Sequence, residues 1–203
     1  PRQAADIGSR MVPPKWSYSL ELIKPVWDTL NIATLGTVIA MIIAVPVAFC
    51  AARNTTPHSS VRIVALFIIV ASRSVNSLIW ALMLVFILGP GVLAGTVAIG
   101  LRSIGFCAKL IYESIEEIDA NQVEAVKATG ASNLQQMIYG IIPQVLPTIA
   151  VVGIYRWDIN IRESTILGLV GAGGIGLQLN GSINTLAWTQ VSTILLVILA
   201  TVF

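Results

Sequence analysis

Charge is scarce in this sequence. Charged side chains make up 11% of its 203 residues, the formal net charge is only +2, and no run of basic residues occurs. A chain this neutral cannot hold a nucleic-acid backbone, which takes clustered lysine and arginine. Histidine occurs once, as His58, and cysteine twice, as Cys50 and Cys107, both inside apolar segments. That leaves too few ligands for a Cys/His metal site, so no metal is expected and both cysteines read as packing residues. No Ser-His-Asp or Cys-His arrangement is present, and Gly130-Ala131-Ser132 lacks the lysine of a nucleotide-cradling loop. No catalytic residue is therefore assigned.

What the chain has in abundance is apolar surface: hydrophobic residues reach 56% and the mean hydropathy is +0.84. Values this far from those of soluble domains define an integral, all-α membrane protein, since only helices satisfy their own backbone in lipid at these segment lengths. Residues 1–25 carry Arg2, Asp6, Arg10, Lys15, Glu21 and Lys24 around Pro13-Pro14 and read as an external, solvated arm. The membrane domain follows, over 26–203. Its first span runs from about Val26 to Ala52, with Pro46 placed to kink it. The turn-rich linker 52–62 holds Arg53 and Arg62 and no acid, which places it on the cytoplasmic side. Residues 61–89 are interrupted by Arg73, Ser74 and Asn76; the part before Arg73 is roughly 18 Å as helix, too short to span, so the region is one long or broken helix. Gly89-Pro90-Gly91 turns the chain, Val92–Ile111 returns it, and further spans run from Val145 to Leu169 and from about Ala187 onward. Five spans result. The chain opens on Pro1 and closes on Phe203 inside an apolar run, leaving room for an earlier helix and a later tail.

Between the third and fourth spans lies the most polar stretch, residues 113–143. Asn121 followed by Glu124 is a capping-box spacing that predicts a short helix from about Gln122. Gly130 supplies a left-handed residue to end it, Ser132 with Gln135 repeats the box, and a second short helix is expected to stop before Pro143. Two capped helices on a tight turn make a rigid elbow for docking a partner.

Glu124-Ala125-Val126, then Gly130, then Ile142-Pro143, resembles the EAA loop of binding-protein-dependent ABC importer permeases of type I. The family pattern is Glu-Ala-Ala, three residues, Gly, nine residues, then Ile-x-Leu-Pro; this chain has Val126 for the second Ala, Gly140 for the Ile and Ile142 for the Leu. The stretches AVKATGASNLQQMIYGIIPQVLP and YRWDINIRESTILGLVGAGGIG are similar to the phosphonate and phosphite permeases of that family. The resemblance implies a bacterial inner-membrane subunit whose elbow is the coupling helix seated on a cytoplasmic ATPase dimer. It also implies a second copy of the chain, an external or periplasmic substrate-binding protein, and ATP and Mg held by the ATPase alone.

The fourth span holds Arg156, Asp158, Asn160, Arg162 and Glu163, and charge within a membrane is costly unless paired or wetted. Arg156 lies nine residues beyond Pro147, roughly 14 Å along a helix and so near the midplane. Asp158 and Arg162 are an i,i+4 pair, whereas Arg156, Asn160 and Glu163 project from the other side. One reading makes these structural links between spans. The other makes Arg156, Asn160 and Arg162, with Arg73 and Arg102, the lining of a path for a tetrahedral oxyanion, for which guanidinium is suited. Gly171, Gly173 and Gly176 spell G-x-G-x-x-G, but they join two membrane spans rather than a strand and a helix; with Gly174 they form an external turn or close-packing site, not a nucleotide site. An importer for another small solute, such as an amino acid, fits the same pattern. A proton-coupled carrier, or an intramembrane enzyme using Asp158 and Glu163, is the alternative from another class; the arginine near each carboxylate favours ionised, structural acids.

Overall fold

The computed structural model describes residues 8–202; Arg2 and Asp6 of the expected arm lie outside them. Among the described residues there is no strand. The helices are α1 (Ile23–Ala51), α2 (Ser59–Ser74), α3 (Ser77–Leu88), α4 (Val92–Glu116), α5 (Ala120–Ala128), α6 (Asn133–Gln136), α7 (Ile142–Leu169), α8 (Ile175–Asn184) and α9 (Trp188–Val202). The five apolar stretches are α1, the α2–α3 pair, α4, α7 and α9. Three of the helices are long and apolar enough to cross a membrane, the pair adds a fourth if it forms one broken span, and α9 is shorter.

Local chemistry explains the boundaries. The polar interruption in the second stretch breaks the helix at Val75 and Asn76, both extended, and Asn76 Oδ1 caps α3 by accepting from Leu78 N at 3.2 Å. Pro46 stands inside α1, which continues through it as a single helix of 29 residues. The stretch read as a solvated arm is in part packed. Trp16–Leu20 forms a 3₁₀ turn, Tyr18 rests against a cluster of Leu22, Ile175 and Ile194, and α1 already begins at Ile23. Leu22, buried just beyond the turn, accounts for this, because Tyr18 packs against the same cluster.

The chain divides into two compact units. One comprises residues up to Gly36, Asn76–Gly100 and residues from Trp157 on. Its polar node is the fully buried Thr29, whose hydroxyl donates to Pro25 O at 2.9 Å and accepts from Ile175 N at 2.8 Å, so the first free N–H of α8 finds a partner from α1. The other unit comprises Thr37–Val75 and Leu101–Arg156. There Ala44, Ala48 and Ala51 put a strip of small side chains on α1, continued by Ala52 just past its end and packed with Cys107, Ala108, Ile111 and Ile115 of α4 and Val145 of α7. Helices in lipid gain little from the hydrophobic effect between themselves, and close approach of small residues replaces it. The α2–α4 crossing follows the same rule. Gly105 N donates to Ser72 Oγ at 3.0 Å, and Ser72 Oγ donates in turn to Leu101 O. A Cβ on Gly105 would stand 2.6 Å from Ile69 O and 2.8 Å from Ser72.

This contrast gives a first prediction. Gly105→Ala should lower the thermal midpoint of the purified chain, as forced overpacking typically costs about 1–3 kcal/mol. Gly100→Ala, where the nearest atom is Gly36 O at 3.6 Å, should raise it slightly through helix propensity. Equal midpoints for the two variants would refute the tight crossing.

Candidate functional site

The elbow forms, with its first cap shifted. Asp119, not Asn121, caps α5: its carboxylate accepts from Asn121 N at 3.0 Å, so the helix starts at Ala120 rather than near Gln122. Asp is as good a cap as Asn, and placing it at residue 119 adds two residues to a short helix. Thr129 ends α5, and Gly130 turns the chain with φ +83°. The box at Ser132 is complete: Gln135 N donates to Ser132 Oγ at 3.4 Å and Ser132 N donates to Gln135 Oε1 at 2.8 Å.

The expected stop before Pro143 is not there. α6 passes through a π turn, Met137–Ile141, into α7, and together they make a 37-residue helix from Asn133 to Leu169. Proline is tolerated because Ile142 N bonds to Met137 O, five residues back, and the widened turn makes room for a ring that lacks an N–H. The elbow is thus continuous with the membrane helix. Gln144 ties its other end: Asp119 N donates to Gln144 Oε1 at 2.9 Å, while Gln144 Nε2 donates to Gly140 O at 2.7 Å and Asp119 O at 3.4 Å. Gly140 also lets α5 approach closely, a Cβ there standing 3.3 Å from Val123 Cα. Of the motif residues, Glu124 and Ala125 are exposed on α5, Val126 and Ile142 are half-buried, and Pro143 is exposed at the start of α7. Leu134 and Tyr139 are exposed too, at 66% and 69%. Val126, Gly130, Gln135 and Tyr139 rim an open depression of about 520 Å³.

The charged stretch of α7 sorts into two environments. Arg162 Nη2 lies 2.7 Å from Asp158 Oδ2, both side chains about half exposed. Arg156 is buried, with Nε donating to Ser103 Oγ at 2.9 Å and its guanidinium 5.2 Å from the centre of the Phe106 ring, both on α4. A desolvated cation over an aromatic face gains about 2 kcal/mol, which helps to hold this charge inside. Asn160 is fully buried and Glu163 half-buried. Arg102 Nη1 donates to Val75 O at 3.4 Å, covering the carbonyl end of α2. Arg73, in the last turn of α2, is exposed and lines an open pocket with Lys109 and Tyr112. The structure thus brings Arg156 of α7 onto Ser103 and Phe106 of α4, in the turn that also carries Arg102, whereas Arg73 opens onto a different set of side chains.

The glycines from 171 to 176 combine turn and close packing. Gly171, Gly173 and Gly174 have φ of +91°, +83° and +74°, and a Cβ on Gly174 would meet Thr29 Oγ1 at 2.5 Å. Gly176 lies against Gly168 and Thr165 O with no space for a Cβ. Sequence reasoning missed Asp119, Gln144, Ser103 and Phe106. Asp119 had a signal, an acidic cap residue just before a helix; the others act across long sequence separations and had none.

An all-helical, multi-pass membrane subunit carrying a capped polar elbow, with no nucleotide-binding loop of its own, is the class these features define. Residues 36–203 match the family described as binding-protein-dependent transport system inner membrane component, and the chain belongs to that family. It is 44% identical over 198 residues to a phosphite transport system permease protein of Stutzerimonas stutzeri, covering 98% of this chain and 72% of that one. It is 42% identical over 190 residues to a phosphate-import permease protein of Mycolicibacterium smegmatis, covering 94% of this chain but only 36% of that longer protein. A solved methionine ABC transporter in an inward-facing conformation has the same fold, with a TM-score of 0.78 at 22% identity over 93% of this chain and 92% of that one. The chain is a permease subunit of an ABC importer, a transport component rather than an enzyme.

The Gln144 tie yields a second prediction. Gln144→Met keeps the side-chain length and removes the hydrogen bonds to Asp119, so amide exchange over residues 119–128 should speed up about tenfold. Unchanged exchange there would show that the tie does not hold α5.

Proposed function

We propose that this chain is the membrane-spanning subunit of an ATP-driven importer of a phosphorus oxyanion, such as phosphonate, phosphite, hypophosphite or phosphate, in the bacterial inner membrane. Support for the substrate class comes from the functions of the relatives. Support for the coupling comes from the elbow, whose continuity with α7 is the single observation that carries the mechanism. Two copies of the chain would work with a cytoplasmic ATPase dimer, which alone holds ATP and Mg, and with an external binding protein that delivers the anion. The docking residues are Glu124, Ala125, Val126 and Gly130 of the elbow, with Ile142 and Pro143 where it enters the span.

ATP-driven closure of the ATPases displaces the elbows. Because α6 joins α7 without a loop, and Gln144 ties α5 to the same helix, the displacement passes to the span as a tilt rather than being absorbed by a hinge. Alternation of the path between the two sides follows from such rigid motions. A proton-coupled carrier would have no need of the elbow.

The decisive experiment reconstitutes the chain in lipid with its ATPase and binding protein and follows ATP hydrolysis and uptake over a panel of phosphorus oxyanions and amino acids. Stimulation by one oxyanion is expected. In the same system, Gly130→Leu should abolish coupled uptake while the chain stays folded, since the open space at Gly130 accepts a side chain but its φ of +83° opposes one and the docking surface is altered. Uptake by Gly130→Leu that persists without ATP would replace this reading with a secondary carrier, and stimulation by amino acids alone would replace the substrate.

A further inference from the structure

In the unit formed by Thr37–Val75 and Leu101–Arg156, α2 and α4 border an open pocket of about 410 Å³ whose lining includes Arg73 and Ser74 on one wall and Lys109 and Tyr112 on the other, over an apolar floor of Leu66 and Val70. Arg73, Lys109 and Tyr112 thus bring hydrogen-bond donors, two of them cationic, to one space, while Ser74 Oγ donates to Ala71 O at 2.8 Å. A carboxylate stands close by: Glu113 Oε1 lies 3.6 Å from Lys109 Nζ, with both side chains about two-fifths exposed, so the pair is not locked in the interior and the lysine can turn to a second anion. The carbonyl end of α2 would repel an anion, but Arg102 donates to Val75 O there and Arg73 stands in the last turn. The walls are fixed by the Gly105–Ser72 crossing, which lies one helical turn from Lys109 along α4 and next to Arg73 along α2. The donors are therefore held on rigid elements at a set separation, as a binding site requires.

The geometry points to a binding site for a tetrahedral phosphorus oxyanion in this pocket, with Arg73 as the forked donor, Lys109 as the mobile point charge, and the Tyr112 hydroxyl supplying a neutral hydrogen bond. Guanidinium offers two parallel N–H groups to two oxygens of such an ion, and ammonium adds charge without fixed direction. The apolar floor excludes water on one side and strengthens both contacts. This contrasts with Arg156, whose guanidinium already packs on Ser103 and Phe106. The ion can come from two sources with the same chemistry, a free transported oxyanion or the phosphodiester of an anionic membrane lipid, whose charge no choline neutralises. The first source rests on the function proposed above; the second does not.

The test uses the complete importer in vesicles of phosphatidylcholine alone, with phosphite, methylphosphonate and inorganic phosphate as probes, and compares wild type with Arg73→Gln, Lys109→Gln and Arg73→Lys. If the site serves the free ion, each Gln variant should raise the KM for uptake about tenfold or more, and Arg73→Lys should recover part of the loss. A lipid arm applies native mass spectrometry after exposure to phosphatidylglycerol. If the site serves the headgroup, wild type should retain this lipid, the Gln variants should lose it, and uptake in phosphatidylcholine should be the same for all. Wild-type KM values together with wild-type lipid retention in both Gln variants would overturn the site. A wild-type importer that moves no oxyanion would overturn the proposed substrate instead, and the lipid arm would still decide the pocket.

Discussion

The approach of α2 to α4 at Gly105 constrains the unit built from Thr37–Val75 and Leu101–Arg156. Lipid offers no hydrogen bonds and no hydrophobic gain between helices, so a crossing must supply both contact and polar satisfaction from its own atoms. Gly105 does this by having no side chain: its N–H reaches Ser72 Oγ, and Ser72 Oγ reaches the carbonyl of Leu101. The alanine strip on α1 applies the same solution over a longer surface, with Ala44, Ala48 and Ala51 packed together with Ile111 and Ile115 of α4. Small residues thus fix the helices, and the larger apolar ones, Phe67 and Ile42 among them, are left facing outward.

With the helices fixed by small residues, the few charges take defined roles. Glu116 accepts from Arg53 N at 2.9 Å and lies 3.9 Å from both the Arg53 and the Arg62 side chains, closing the α1–α2 linker onto the end of α4. Arg156 is sheltered by Phe106 and Ser103. Arg73 and Lys109 are the cations that open onto a shared space. The same residue type therefore serves as clamp, as core and as pocket wall, and burial by neighbouring helices decides which.

Much of this was legible in the sequence wherever one segment carries its own signal. Apolar length marked the five stretches, Arg73 to Asn76 marked the break, and Gly130 with Ser132 and Gln135 marked the turn and its box. The Asp158–Arg162 pair followed from helical spacing alone. The rest depends on residues far apart in the chain. Ser103 and Arg156 are separated by 53 positions and Asp119 and Gln144 by 25, and no periodicity links them. Pro143 misled for a different reason: a proline rule assumes an α-helical ring of hydrogen bonds, and the π turn is the exception in which the missing donor does no harm.

That π turn also sets how the elbow faces. A π turn is an α-helix holding one residue more than its hydrogen-bond ladder needs. Everything before Met137, including the capped turn at Ser132 and the exposed Leu134, is therefore indexed around the axis of α7 by a single residue. Loss of one residue between Met137 and Ile141 would restore an ordinary helix and swing the elbow by about 100° around that axis. Substitutions in this segment are thus mild compared with a one-residue deletion, which would leave every exposed side chain of the elbow intact and turn all of them to a different direction.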